Sequence, residues 1–427
     1  FIDFTEEQGF DRAVEMCNGA GICRKRTTGT MCPSFMATRD EKHSTRGRAN
    51  VLRAALSGEL PAEELTGSRV YEVMDLCIEC KACKAECPSA VDMAKIKFEY
   101  LAHYYKANGK PLRARLFGHI GSFNRLGSGA LAPLANGTLN SGLAKSLLQS
   151  TMGISSRRSL PTLARESLPA WFKKHNQKAA GNGQQPGSPP VAFFHDPFTN
   201  YNTPQVGIAA IELLKAAGFE VLWPGHKDDG RPFISKGLVD EARAAARDTL
   251  THLAPLAERG IPIVGLEPSS LLTLRDEYFF LLPQDERVPL VAEHAFTFEE
   301  FIARLADEDQ LDLTFTDAPC HILLHGHCHQ KSLVGTGPAI RALTLPANYT
   351  VTEVDSSCCG MAGSFGYEAE HYEISLKMAE RRLLPAVREA ASDTLIVAAG
   401  TSCRQQIKHG AARQALHPAE VLRAALV

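Results

Sequence analysis

The chain has 427 residues, long enough for two or three compact domains. A formal net charge of −2 provides no overall field to attract nucleic acid or anionic lipid, and the 44% apolar content is that of an ordinary globular protein. No run of eighteen apolar residues suggests a transmembrane helix, no secretory signal opens the chain, and the first residue is Phe1, so the start is either processed or internal to something longer.

The twelve cysteines fall in two groups. Seven lie from Cys17 to Cys87, five lie from Cys320 to Cys403, and none lies between. Disulfide frameworks belong mostly to small secreted domains. This chain reads as cytoplasmic, which favours metal or redox chemistry.

The first region, 1–104, is expected to be an α-helical ferredoxin-like iron–sulfur domain. Its clearest motif is "LCIECKACKAECPSAVD", with Cys77, Cys80, Cys83 and Cys87-Pro88 in the bacterial C-x2-C-x2-C-x3-C-P spacing. One tight loop brings three thiolates to three corners of a cubane, while the fourth cysteine turns away after the proline and serves the other cluster in two-cluster ferredoxins. A zinc knuckle or free thiols are the plainer alternatives. A partner run exists in "EMCNGAGICRKRTTGTMCPSF", carrying Cys17, Cys23 and Cys32-Pro33, with Ala20 where a regular run has a cysteine. Crossing the ligands gives a complete set, Cys32, Cys77, Cys80 and Cys83, and a three-thiolate set, Cys17, Cys23 and Cys87. Three thiolates suit a [3Fe-4S] cluster, a [4Fe-4S] cluster with one other ligand, or an empty site. The competing assignment keeps Cys87 with Cys77, Cys80 and Cys83. Between the runs, "TRDEKHSTRGRANVLRAALSG" reads as a loop entering a helix, whose Arg46, Arg48 and Arg53 form either a solvated face or a docking surface for a flavin domain or an anionic group.

Residues 105–178 read as a basic helical connector, with twelve Lys/Arg against one acidic residue, Glu166. Such a stretch packs on a neighbouring domain or lies peripherally on a membrane surface. A Gly/Pro/Asn/Gln-rich flexible linker, 179–190, then marks a domain boundary.

From 191 onward a β-α-β rhythm predicts an α/β domain with parallel strands, built from two cysteine-rich repeats, 191–312 and 313–427. "FFHDPFTNY" recurs as "LLHGHCHQK", "GHKDDGRPFISKG" as "DSSCCGMAGSFGYE", and "VGLEPSSLLTLRDE" as "VAAGTSCRQQIKHG". The second copy gathers Cys328, Cys358, Cys359 and Cys403 at strand ends, where α/β folds build sites. The first copy has Phe198, Asp228, Asp229 and Ser270 in their places and is expected to be structural. Adjacent Cys358 and Cys359 can share a metal only if the backbone turns sharply, which Gly360 allows. A buried pair or a redox disulfide is the alternative. His325, His327 and His329 flank Cys328 and offer one spare ligand. Cys320 has no partner spacing and reads as structural.

Together these motifs resemble the iron–sulfur subunits of glycolate oxidase and anaerobic glycerol-3-phosphate dehydrogenase, and the cysteine-rich copies are similar to those of heterodisulfide reductases. "CNGAGICRK", "MCPSFMATRDEKHSTRGRAN", "HGHCHQK", "CCGMAGSFGYE" and "GTSCRQQI" further resemble the C-terminal, CCG-domain half of fused FAD-linked D-2-hydroxyacid dehydrogenases acting on D-lactate or D-2-hydroxyglutarate. The resemblance implies that the chain is a fragment, an oxidoreductase module whose FAD lies on a missing domain or partner subunit. It implies an electron relay from flavin through a [4Fe-4S] cluster at Cys32, Cys77, Cys80 and Cys83 to a quinone or other carrier, with a second centre, either zinc or iron–sulfur, at Cys328, Cys358, Cys359 and Cys403; the set Cys17, Cys23 and Cys87 stays open between a second cluster and an empty site. It names no catalytic residue in this chain. Ala20, Asp228-Asp229-Gly230 and Gln406 depart from the fuller cysteine patterns of these relatives. The other readings are a zinc-stabilised docking module without electron flow, and a thiol–disulfide enzyme using Cys358 and Cys359.

Overall fold

The computed structural model describes residues 1–179 and 187–427; the expected linker at 179–190 falls largely outside them. The first hundred residues are helical. Short helices carry the cysteine loops, and Met93–Asn108 is the long element that backs them. That helix starts where the Asp92 carboxylate accepts the Ala94 and Lys95 N–H groups at 3.1 and 3.0 Å, satisfying donors that the first turn leaves free. Gly109, with a positive φ, ends it.

Residues 112–152 form several short helices, among them Leu112–Gly118, Ile120–Gly127, Ala132–Leu139 and Gly142–Met152. They are laid over the α/β region and pinned at both ends. Asn124 donates to Asn202 at 2.8 Å, and beyond the last helix an antiparallel bridge joins Ile154 to Glu368.

The α/β region holds two parallel sheets. Strands β1 (Pro190–Phe194), β2 (Glu220–Leu222), β3 (Ile263–Gly265) and β4 (Ala295–Thr297) run in the order β2-β1-β3-β4. Strands β5 (Cys320–Leu324), β6 (Tyr349–Glu353) and β7 (Leu395–Val397) run in the order β6-β5-β7. Each sheet therefore has its first strand in the middle, flanked by its second and third. Phe198 stands four residues past the end of β1, as Cys328 does past β5. Strands covered on both faces read as continuous apolar runs, and "VAFF" in β1 is fully buried. The C-terminal ends of β5, β6 and β7 open toward the helical domain. That orientation brings the two groups of cysteines together.

No helix among the described residues is long and apolar enough to cross a membrane.

Candidate metal centres

Cys77, Cys80 and Cys83 sit on a loop that passes through two left-handed residues, Glu79 and Lys81, before the helix Ala82–Glu86. Cys32 caps the helix Pro33–Thr38 and faces the same small cavity, which all four cysteines line with Arg48 and Met93. The four are buried. Burial raises the thiol pKa values of Cys77, Cys80 and Cys83. Opposing this, the backbone N–H groups of Glu79, Ala82 and Met93 act to lower the Cys77, Cys80 and Cys83 values respectively. Backbone donors of this kind stabilise thiolates and tune cluster potentials.

Two buried cations complete this site. Arg48, 0% exposed, donates to Val73 O at 3.0 Å, to Ser34 Oγ at 3.0 Å and to the Cys32 sulfur at 3.6 Å. Lys97 donates to the Asp75 and Cys77 carbonyls. Among the described residues neither forms an ion pair with a carboxylate. A buried cation without a carboxylate partner is costly unless negative charge lies close by. A cage of four thiolates around an iron–sulfur cluster carries such charge, so the donor set fits the group. Arg48 thus belongs neither to a solvated face nor to a docking surface, the two readings open for it in the sequence: its helix turns it inward onto Cys32. Arg46 stays partly exposed and donates its N–H to the Cys23 sulfur at 3.3 Å, and Arg53 donates to Cys17 O at 2.8 Å.

Cys23 is buried within electrostatic reach of Cys32 and Cys17. Cys17 and Cys87 are half-buried, and the Cys87 N–H closes the helix Ala82–Glu86 on Cys83 O at 3.0 Å.

At the ends of β5, β6 and β7 the second group forms a continuous chain of sulfurs, with Cys358 between Cys328 and Cys359, and Cys359 against Cys403. The hydrogen bond from Cys358 brings the Cys328 thiol down to about 7, and bonds from Cys358 and Cys403 hold Cys359 below the ordinary thiol range. Cys358 and Cys403 are correspondingly raised. A metal centre would take all four as thiolates. A ring nitrogen of His325 and the sulfurs of Cys359 and Cys403 lie within 4.8 Å of one another, all buried. His325 Nδ1 is engaged by Ser356 Oγ at 2.7 Å, and its Nε2 is buried without a hydrogen-bond partner. Burial lowers its pKa, which favours the neutral, ligating imidazole. Gly360 turns the chain at φ 82°, and a Cβ there would meet Ser375 O at 2.3 Å.

Of the three histidines left open by the sequence, only His325 joins the cysteines. His327 caps the helix Cys328–Leu333 and lies 3.8 Å from Glu267, while His329 donates to Glu79 O at 2.9 Å. Cys320 sits apart at the start of β5. Gln406 donates to Ser375 O at 3.1 Å. In the first sheet, Asp228 and Asp229 accept the Gly230 and Arg231 N–H groups at 3.1 and 2.9 Å, and burial pushes Asp229 up to about 7. Glu368, Glu370 and His371 also cluster, but Lys236 and Arg113 already neutralise the carboxylates.

The two cysteine groups abut. Ser332, on the helix that begins with Cys328, donates to Cys80 O at 3.2 Å, and after burial the electrostatic effect of Cys328 is the next largest cause that raises Cys80. The iron–sulfur loop is fixed by a buried ionic network that sequence reasoning did not find. Lys81 bonds Asp276 and Glu277 at 2.5 Å each, Lys84 bonds Asp276 at 2.5 Å, and Arg231 bridges Glu277 and Glu79.

Residues 16–92, which include all seven N-terminal cysteines, match the 4Fe-4S dicluster domain family, and the chain carries an iron–sulfur site of that type. Across its length the chain is similar to oxidoreductases. It is 26% identical to D-2-hydroxyglutarate dehydrogenase of Escherichia coli (strain K12), over 99% of this chain and 45% of that protein. It is 29% identical to a subunit of the anaerobic glycerol-3-phosphate dehydrogenase of the same organism, over 69% of this chain and 72% of the relative. A probable glycolate oxidase iron-sulfur subunit of Bacillus subtilis (strain 168) is 26% identical over 94% of this chain and 89% of its own. The chain spans less than half the length of the D-2-hydroxyglutarate dehydrogenases it matches.

Proposed function

We propose that the chain is the iron–sulfur relay of an FAD-linked D-2-hydroxyacid dehydrogenase, acting on D-2-hydroxyglutarate or D-lactate, and that it passes electrons from a flavin domain or subunit to a quinone or another carrier. The observation that carries this reading is that the two buried cysteine groups pack against each other: Ser332, on the helix that begins with Cys328, donates to Cys80 O at 3.2 Å. One electron held at either group would have a short path to the other.

In this reading Cys32, Cys77, Cys80 and Cys83 hold a [4Fe-4S] cluster, and Cys17, Cys23 and Cys87 a second, three-thiolate centre. Cys328, Cys358, Cys359 and Cys403 hold iron–sulfur or zinc, with His325 as the additional ligand. A cluster so held supplies one-electron transfer with little rearrangement. The chain's own residues do the rest: Arg48 and Lys97 balance the thiolate charge, the N–H groups of Glu79, Ala82 and Met93 set its strength, and burial excludes water. The two α/β units are CCG-type repeats, of which the first keeps the fold and lost its thiols. Their common strand order and the matching places of Phe198 and Cys328 support this.

The test is anaerobic purification with iron, sulfide and zinc counted and EPR recorded before and after dithionite. Iron with sulfide and a signal that appears on reduction is the expected result. Zinc without sulfide, from protein never exposed to air, would leave a docking module and end the relay reading.

A further inference from the structure

A cavity of about 520 Å³ lies where the iron–sulfur loop, both sheets and the helices of residues 112–152 converge. Its floor is polar and sulfur-bearing, formed by Cys77, Glu79, Cys328, Cys358 and Cys359. Thr401 and Ser402 stand beside them with hydroxyls able to donate to a carbonyl oxygen. Its outer wall is apolar: Ile120, Phe123, Leu139, Leu148 and Met152. An apolar cavity with a few converging polar groups is the form that a small-molecule site takes.

The helices that make this wall are bare on their other side. Seven of the twelve large hydrophobic side chains exposed among the described residues lie between Leu112 and Leu147, including Leu134 at 68%, Leu143 at 88% and Leu147 at 62%. Residues 112–152 contain Arg113, Arg115, Arg125 and Lys145 and no acidic residue. Arg113 is paired with Glu370, whereas Arg115, Arg125 and Lys145 have no carboxylate partner among the described residues. An apolar face rimmed by unpaired cations and free of anions complements an anionic lipid surface. Phe123 is both 49% exposed and part of the cavity wall, so the outer face and the cavity are continuous at that point.

We propose that the helices of residues 112–152 lie on an anionic bilayer surface and that the cavity beneath them binds a bilayer-dissolved quinone, its ring against the cysteine floor and its isoprenoid tail between the helices. This assignment rests on the relay reading and adds to it the acceptor's binding site and the phase from which the acceptor arrives. Two measurements on the full chain test it, neither of which needs electron flow. Flotation with phosphatidylcholine vesicles, with and without one quarter phosphatidylglycerol, reads the surface. Equilibrium dialysis with a short-chain quinone reads the cavity. The exposed double variant Leu143→Glu/Leu147→Glu is expected to lose flotation on anionic vesicles by about tenfold or more while binding quinone unchanged. The cavity variant Leu148→Trp is expected to float normally and bind quinone at least about tenfold more weakly. Circular dichroism confirms that both are folded. Absence of flotation on anionic vesicles, equal flotation on neutral ones, or undiminished quinone binding by Leu148→Trp would each overturn the proposal. Quinone binding without flotation would mean that something other than lipid covers the face. Iron and sulfide counts on the same preparation judge the relay reading separately.

Discussion

Replacing Arg48 by glutamine removes one buried positive charge beside the Cys32 sulfur while keeping a donor for the carbonyl of Val73. In the relay reading this charge favours the reduced, more negative cluster, so its loss should lower the reduction potential. The guanidinium lies 3.6 Å from the Cys32 sulfur, and the added electron spreads over the cluster beyond it, so a separation of roughly 6 Å is appropriate. At an effective dielectric of about 20 the interaction is about 3 kcal/mol. One electron at that energy corresponds to a potential drop of roughly 120 mV. The assay is an EPR-monitored redox titration of wild type, Arg48→Gln and Arg48→Lys, after iron counts show that all three hold the same cluster. Arg48→Lys keeps the charge and should recover most of the shift. A change below about 20 mV in Arg48→Gln, or any rise, would refute the electrostatic role and leave Arg48 as a packing residue.

Three further outcomes follow from the geometry. Asp276→Asn removes a carboxylate shared by Lys81 and Lys84; because each lysine keeps a second acid, Glu277 or Asp92, the cost should fall near the lower end of the range for broken buried pairs, about 3 kcal/mol by urea denaturation. Gly360→Ala, strained at φ 82° and blocked by Ser375 O, should lose the metal proposed at Cys328, Cys358, Cys359 and Cys403 and keep the iron proposed at the N-terminal set, read by elemental analysis of the purified protein. His371 is buried, which opposes its charge, yet its hydrogen bond to Asp75 and the Glu368 carboxylate 3.1 Å from its Nδ1 raise its pKa above 6.5, while Glu368, though buried, is held below 4.5 by Lys236, His371 and Arg113. The raised histidine stabilises fully below 6.5 and loses its contribution as pH climbs through its folded value; the lowered glutamate stabilises above 4.5. The melting-temperature advantage of wild type over His371→Gln should therefore be greatest between those values and shrink above neutrality.

Cysteine spacing made the N-terminal group legible, because a short loop keeps Cys77, Cys80 and Cys83 together and Cys32 lines the same cavity, and it made Gly360 legible as the turn beside adjacent Cys358 and Cys359. The apolar strand runs disclosed the parallel sheets for the same local reason. What the sequence hid depends on long-range packing. Arg48 stands in a helix of arginine, alanine and leucine that reads as a solvated face, and nothing within that helix marks which arginine is buried, since its neighbours Ser34 and Cys32 come from the start of an earlier helix. Lys81 and Asp276 are 195 residues apart, so neither has a local pattern that points to the other. Three histidines around Cys328 were equivalent by spacing; strand direction sends His325 toward Cys359 and leaves His327 and His329 to cap and brace.

The buried ions also explain why a ferredoxin-like loop docks on an α/β domain in one register. Hydrophobic contact alone would let the helical domain slide across the strand ends, because apolar attraction has little directional preference. Glu79 and Lys81 flank Cys80 on both sides, and each reaches an opposite charge on the first sheet's loops, Arg231 for Glu79 and Asp276 with Glu277 for Lys81. His329 then holds Glu79 O from the second sheet. Cys80 is therefore fixed from both α/β units at once, and Ser332, on the helix that begins with Cys328, bonds its carbonyl. Desolvating these charges costs more than an apolar seam would, and an apolar seam of the same volume would be at least as stable. What the charges add is position: they set the distance between the two cysteine groups, and a one-electron path is most sensitive to that distance.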